Sequence, residues 1–178
     1  MPYIDVNNDL PGIVGLFSFR PESGKPMSAL AQHLLRGESE LTPAERELIA
    51  VRVSRGNDCF FCEKSHAAAA RELLDGDTDG VVDNVADHGA EGIDDLRMQA
   101  LLRIADLVRK DARTVAQDDI DAARAAGASD EAIHDAVLVA AAFCMYNRYV
   151  DGLGALTPRD HAEYAPMGAM LASHGYVR

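Results

Sequence analysis

The sequence predicts an all-α fold, a single-domain helical bundle of six to eight helices over residues 1–178. Three observations predict it. Apolar residues recur at helical spacing, as in Leu96, Leu101, Leu102, Ile104, Ala105 and Val108. Alternating β-branched runs bounded by turns, the mark of strands, are nearly absent. Capping residues and glycine stops bracket the periodic stretches. A chain of 178 residues fits one domain and buries a core without covalent staples.

Taken in order, residues 1–27 hold four of the seven prolines and read as an extended N-terminal arm. The stretch "MSALAQHLLRG" follows as a short helix ended by Gly37. "LTPAERELIAVRVSRGN" opens with a capping box: Thr42 at the N-cap, Pro43 at the first helical position and Glu45 two further on. It stops at Gly56-Asn57. Asp58 is placed to cap the next helix, "CFFCEKSHAAAARELLDG", whose alanine-rich tail stops near Gly76. "GDTDGVVDNVADHGAEG" reads as irregular or short-helical, and "IDDLRMQALLRIADLVRKD" as a clear helix. "TVAQDDIDAARAAGAS" is another, stopped by Gly127. Ser129 and Asp130 open a long helix through "DEAIHDAVLVAAAFCMYNRYVDGLG". Thr157-Pro158-x-Asp160 starts a last one running toward His174.

Charge narrows the function classes. A net charge of −12 and a pI near 4.8 argue against nucleic acid, whose phosphates need basic patches, and against an anionic membrane surface. The opening "MPYIDVNNDLPGIVGLF" lacks the basic start of a signal peptide. The longest apolar run, "AVLVAAAFCMY", is short of a membrane span. The expected compartment is the cytoplasm, where a Cys-x-x-Cys pair is more often catalytic or metal-binding than structural.

That pair is Cys59 and Cys62, with His66 one turn on. On a helix, Cys62 lies about 300° and His66 about 340° around from Cys59, so all three share a sector of ~60°. Cys62 and His66 are neighbours at i,i+4. A free thiol is only about 3% thiolate at neutral pH. A helix N-terminus and an imidazole both favour the anion, while Asp58 and Glu63 oppose it. Three readings of the residues stand: redox chemistry, a zinc site of Cys59, Cys62 and His66, and simple packing. A structural zinc site needs four ligands, and no second Cys-x-x-Cys or His/Cys pair is present. Haem attachment needs a histidine where Glu63 stands. Upstream, Glu47 lies in a largely apolar stretch, where burial would perturb its carboxyl; the alternative is a solvated face beside Glu45 and Arg46.

The stretch "LTPAERELIAVRVSRGNDCFFCEKSHAAAA" resembles the core of the alkylhydroperoxidase-D-like branch of the carboxymuconolactone decarboxylase superfamily. The shared pattern is Glu, eleven residues, Cys-x-x-Cys, three residues, His: here Glu47, Cys59, Cys62 and His66, within a redox core of residues 42–75. "AAFCMYNRYVDGLG" is similar to the long helix of the peroxidase-related members. The resemblance covers about residues 10–155. It implies an oligomeric helical fold, trimer or hexamer, and reduction of (alkyl) hydroperoxides by a dithiol electron donor, with no cofactor or metal. It implies Cys62 as the peroxidatic thiol, Cys59 as the resolving thiol, and His66 with Glu47 as a proton relay. Cys59 is the nearer of the two to the helix start, whereas Cys62 has the contact with His66, which favours Cys62 as the nucleophile. The best-studied members carry a second histidine just before the second cysteine; Phe61 stands there. The branch that decarboxylates a muconolactone lacks the cysteine pair.

Two other functions fit the same residues: a thiol–disulfide oxidoreductase or redox sensor without efficient peroxidase turnover, and a binding or assembly module with a vestigial site. His33, His88, His134, His161 and His174 are expected on surfaces, and Cys144 as a small buried apolar group. Asn147, Arg148 and Asp151 are expected to form an Arg–Asp pair at a helix end or an oligomer contact.

Overall fold

The computed structural model describes residues 2–177, and these form nine α-helices, three short 3₁₀ segments and no strand. The helices are α1 (Gly12–Phe19), α2 (Pro21–Arg36), α3 (Pro43–Gly56), α4 (Phe60–Leu73), α5 (Val81–His88), α6 (Leu96–Asp111), α7 (Gln117–Ala125), α8 (Asp130–Gly152) and α9 (Tyr164–His174).

The first of them corrects the expected extended arm. Residues 12–19 and 21–27 are helical, in α1 and the first half of α2. The prolines that suggested extension are placed where helices tolerate them. Pro11 precedes α1 at the N-cap and Pro21 sits at the first position of α2, where no intrahelical N–H bond is lost. Only Pro26 lies inside a helix. The two helices meet closely: a Cβ on Gly24 would come 2.7 Å from the Cβ of Phe17.

The cap on α3 forms as expected. Thr42 Oγ1 accepts from the Glu45 N–H, and Glu45 accepts from the Thr42 N–H at 2.7 Å. The cap on α4 does not. Asp58 adopts φ +58°, a left-handed residue that turns the chain between the two helices, so Cys59 becomes the N-cap of α4 and Cys62 its third residue. Ser129 caps α8. At the end of the chain Asp160 caps a 3₁₀ turn, His161–Glu163, that leads into α9, while Thr157 bonds back to the Ala155 carbonyl.

The core sits around α3, which is buried on almost every face, from Ala44 to Ser54. Leu35, Leu48, Ile49, Val53, Leu101, Ile104, Val139 and Phe143 pack there. A second, smaller apolar cluster holds Leu16, Cys59, Cys62, Phe61, Val150 and Tyr164, between α1, α4, α8 and α9. The helix pair α3–α4 therefore carries a buried charged residue on one side and both thiols on the other. Asn147 of α8 fixes the turn between them, donating to Ser54 Oγ at 3.1 Å and accepting from Asn57 at 2.9 Å. No described helix is long and apolar enough to cross a membrane.

Candidate active site

Glu47 is the buried centre of the site, with no exposed surface. Its Oε2 accepts from His66 Nδ1 at 2.7 Å. Its Oε1 pairs with Arg36 Nη2 at 2.7 Å and accepts from the Tyr176 hydroxyl. Burial opposes the charge on Glu47, but His66, Arg36 and Tyr176 together outweigh it and hold the carboxyl below its ordinary value of 4.5. The solvated alternative for Glu47 is thereby excluded.

Ligation of Nδ1 by a carboxylate sets the imidazole. With Nδ1–H donated to Glu47, Nε2 is the nitrogen left to accept a proton. The ring is held edge-on by Phe143, with centroids 4.6 Å apart, and stacked on Tyr176 at 5.7 Å and an interplanar angle of 9°. His66 and Cys62 open onto the same cavity, of about 640 Å³, whose walls are mainly apolar side chains of α1, α2, α4, α8 and α9.

Both thiols are free and buried. They differ in what they face. Cys62 lines the cavity and Cys59 does not. The neighbouring Cys62 thiol, then burial and the charge of Asp151, push the Cys59 pKa far up. Cys59 at the N-cap and Cys62 in the first turn both lie at the positive end of the α4 dipole, which favours a thiolate there.

The structure brings Glu47, His66, Cys62 and Cys59 together, and it adds two groups absent from the sequence pattern. Arg36 and Tyr176 come from α2 and from the segment after α9, 11 and 129 residues from Glu47. A buried carboxylate in need of a cation was the one signal that could have pointed to an arginine; nothing in the sequence singled out Tyr176. Its phenol is kept protonated by burial and by the Glu47 charge. Its backbone N–H donates to Gln32 Oε1 at 2.6 Å, and its carbonyl accepts from Ser28. Phe61 is a core residue packed on Gly12 and Tyr164.

Other expectations resolve less uniformly. His33, His88, His134, His161 and His174 are all exposed. Cys144 is half-buried, 3.7 Å from Asn57 Nδ2. The expected Arg148–Asp151 pair is absent among the described residues: Arg148 donates to the Cys144 carbonyl, and Asp151 turns toward Cys59. The reason is the tight α3–α4 turn, which places the Cys59 thiol beside the end of α8. Among the described residues no three His, Cys, Asp or Glu side chains are grouped as a metal site requires.

The family model described as "Carboxymuconolactone decarboxylase family" matches residues 21–107. Those residues run from α2 into α6 and include Glu47, Cys59, Cys62 and His66. Solved structures extend the likeness beyond those residues. An uncharacterized peroxidase-related protein with an alkylhydroperoxidase AhpD core, from Ralstonia eutropha JMP134, superposes with a TM-score of 0.79 at 28% identity, covering 89% of this chain and 81% of its own. An uncharacterized peroxidase-related protein from Silicibacter sp. TM1040 gives 0.76 at 29% identity, covering 87% and 78%. No curated protein matches the chain. The fold is therefore AhpD-like, and the residues matched by the family model include Glu47, Cys59, Cys62 and His66, while Phe143, Asp151 and Tyr176 lie outside them.

Proposed function

We propose that the protein is a dithiol-dependent hydroperoxide reductase in which Cys62 is the peroxidatic thiol. One observation carries this: Cys62 and His66 open together onto an apolar cavity, with Cys59 directly behind Cys62 and Glu47 directly behind His66. The peroxidase-related names of its structural relatives support the same class.

His66 Nε2 accepts the Cys62 proton, and Glu47 stabilises the resulting imidazolium. The thiolate attacks one oxygen of ROOH, the O–O bond breaks, and the leaving alkoxide takes the proton back from His66. The products are ROH and a Cys62 sulfenic acid. Cys59 then attacks that sulfur, forming the Cys59–Cys62 disulfide and releasing water. An external dithiol reduces the disulfide by exchange and is itself oxidised. Cys59 suits the resolving step because its buried thiol stays protonated until Cys62 has been oxidised.

We place this cycle in the cytoplasm, where dithiols are kept reduced, and in a homo-oligomer. Leu138 and Met145, 37% and 43% exposed, flank Ala141 on the outer face of α8, an apolar stripe suited to helix packing. The test is steady-state consumption of an organic hydroperoxide with a dithiol donor. Wild type should turn over, and Cys62→Ser should lose at least about a hundredfold; equal rates would sink the assignment.

A further inference from the structure

The cavity in front of Cys62 carries more information than its apolar walls. Its volume of about 640 Å³ falls within the roughly 300–1,000 Å³ of pockets for drug-sized ligands. A hydrogen peroxide molecule needs little more than the ~30 Å³ of a water. A bulky organic group therefore belongs in this space.

Charge then separates among bulky groups. The chain has 29 acidic residues, and none of them lines the cavity. Among the described residues, and apart from His66, Lys25 is its one charged wall residue. Lys25 is exposed on α2 and has no ion-pair partner among the described residues, although the net charge of −12 supplies acids over most of the surface. Ser18 and Ser28 are the nearby uncharged polar groups on the same wall. Ile13, Phe17, Phe143 and Met167 are among the cavity's apolar lining residues. A cation on an apolar cavity with no Asp or Glu among its described lining residues is the complement of an amphipathic monoanion.

We propose that the substrate is an acyl-chain hydroperoxide bearing a free carboxylate, with the carboxylate at Lys25 and the chain lying along the cavity toward Cys62. Resting on the peroxidase chemistry proposed for Cys62, the reaction converts this hydroperoxy acid to the hydroxy acid, with the dithiol as reductant. The wall that carries the selectivity comes from α1 and α2, and α1 lies outside the residues matched by the family model. The carboxylate is that of a free acid. A chain held in an anionic bilayer would bring its surface against a protein of net charge −12.

Binding and turnover are measured on the full chain with two probe pairs: linoleic acid and its methyl ester for calorimetric binding, and the hydroperoxides of both for turnover. The free acid should bind about fivefold more tightly than the ester. Lys25→Glu, at an exposed position, should bring the acid-to-ester affinity ratio down to about one or below. Equal affinities for acid and ester, or an acid preference that survives Lys25→Glu, would overturn the proposal. Preferential consumption of phospholipid hydroperoxide in anionic vesicles would overturn it as well. The binding arm separates the two levels of inference. Lysine-dependent acid binding without consumption of any hydroperoxide upholds the ligand class and rejects the peroxidase reading.

Discussion

Tyr176→Phe removes a single hydroxyl and keeps the ring that stacks on His66 at 5.7 Å. The lost bond is to a fully buried carboxylate. A hydrogen bond to a charged partner contributes about 1.5–3 kcal/mol. With a urea m-value of about 2 kcal/mol/M, the unfolding midpoint should fall by roughly 1 M. Packing is unchanged, so the loss should pass through Glu47 and the His66 Nδ1 that lies 3.2 Å from the same hydroxyl. Glu47→Gln alone leaves Arg36 facing a neutral amide inside the protein, which costs about 3–5 kcal/mol. If the hydroxyl acts through the carboxylate, the double variant should lose less than the two singles combined, by about 1.5–3 kcal/mol. Equilibrium urea unfolding by far-ultraviolet circular dichroism, in reducing buffer at neutral pH, reads all four corners of the cycle. Single effects that add within about 0.5 kcal/mol would refute the reasoning, because independent sites behave that way.

The same carboxylate sets a pH dependence. Its folded pKa lies below the ordinary 4.5, so its contribution is fully present above that value and is lost as pH falls through the depressed one. The stability gap between wild type and Glu47→Gln should therefore narrow as pH drops below 4.5, and a gap that widens would contradict the sign. A third prediction concerns the crossing of α9 on α4. A Cβ at Gly168 would sit 2.5 Å from the carbonyl carbon and Cβ of Ala68, where only backbone could yield. Gly168→Ala should cost about 1–3 kcal/mol and lower the melting temperature by about 5 °C. It should also speed alkylation of Cys62, since α9 carries Tyr176 to the site.

What the sequence made legible was local. Thr42, Glu45 and Ser129 act within a single helical turn, so their caps were readable from spacing alone. Glu47 and His66 lie on consecutive helices joined by a short turn, which is why a linear pattern encodes their contact. The misreadings share a different origin. Prolines in residues 1–27 suggested extension because their positions relative to helix starts depend on where α1 and α2 begin. Asp58 looked like a cap, yet the tight α3–α4 turn needed a left-handed residue there and gave the cap position to Cys59. Arg36 and Tyr176 reach Glu47 only through tertiary packing, so no spacing announced them.

The distance along the chain between Glu47 and Tyr176 also bears on how the protein folds. The α3–α4 pair is a local hairpin, and its dithiol can be assembled early by short-range contacts. The contact from Tyr176 to Glu47 closes a loop of 129 residues, and its backbone is anchored to Gln32 and Ser28 across 144 and 148. Loop-closure entropy places such contacts late. During refolding there is then an interval in which both cysteines are present and Glu47 has not been sealed. In that interval the thiols meet oxidants without the order of events that the finished site imposes. Recovery of active protein should accordingly depend on the redox buffer during refolding, and much less on the one used afterwards.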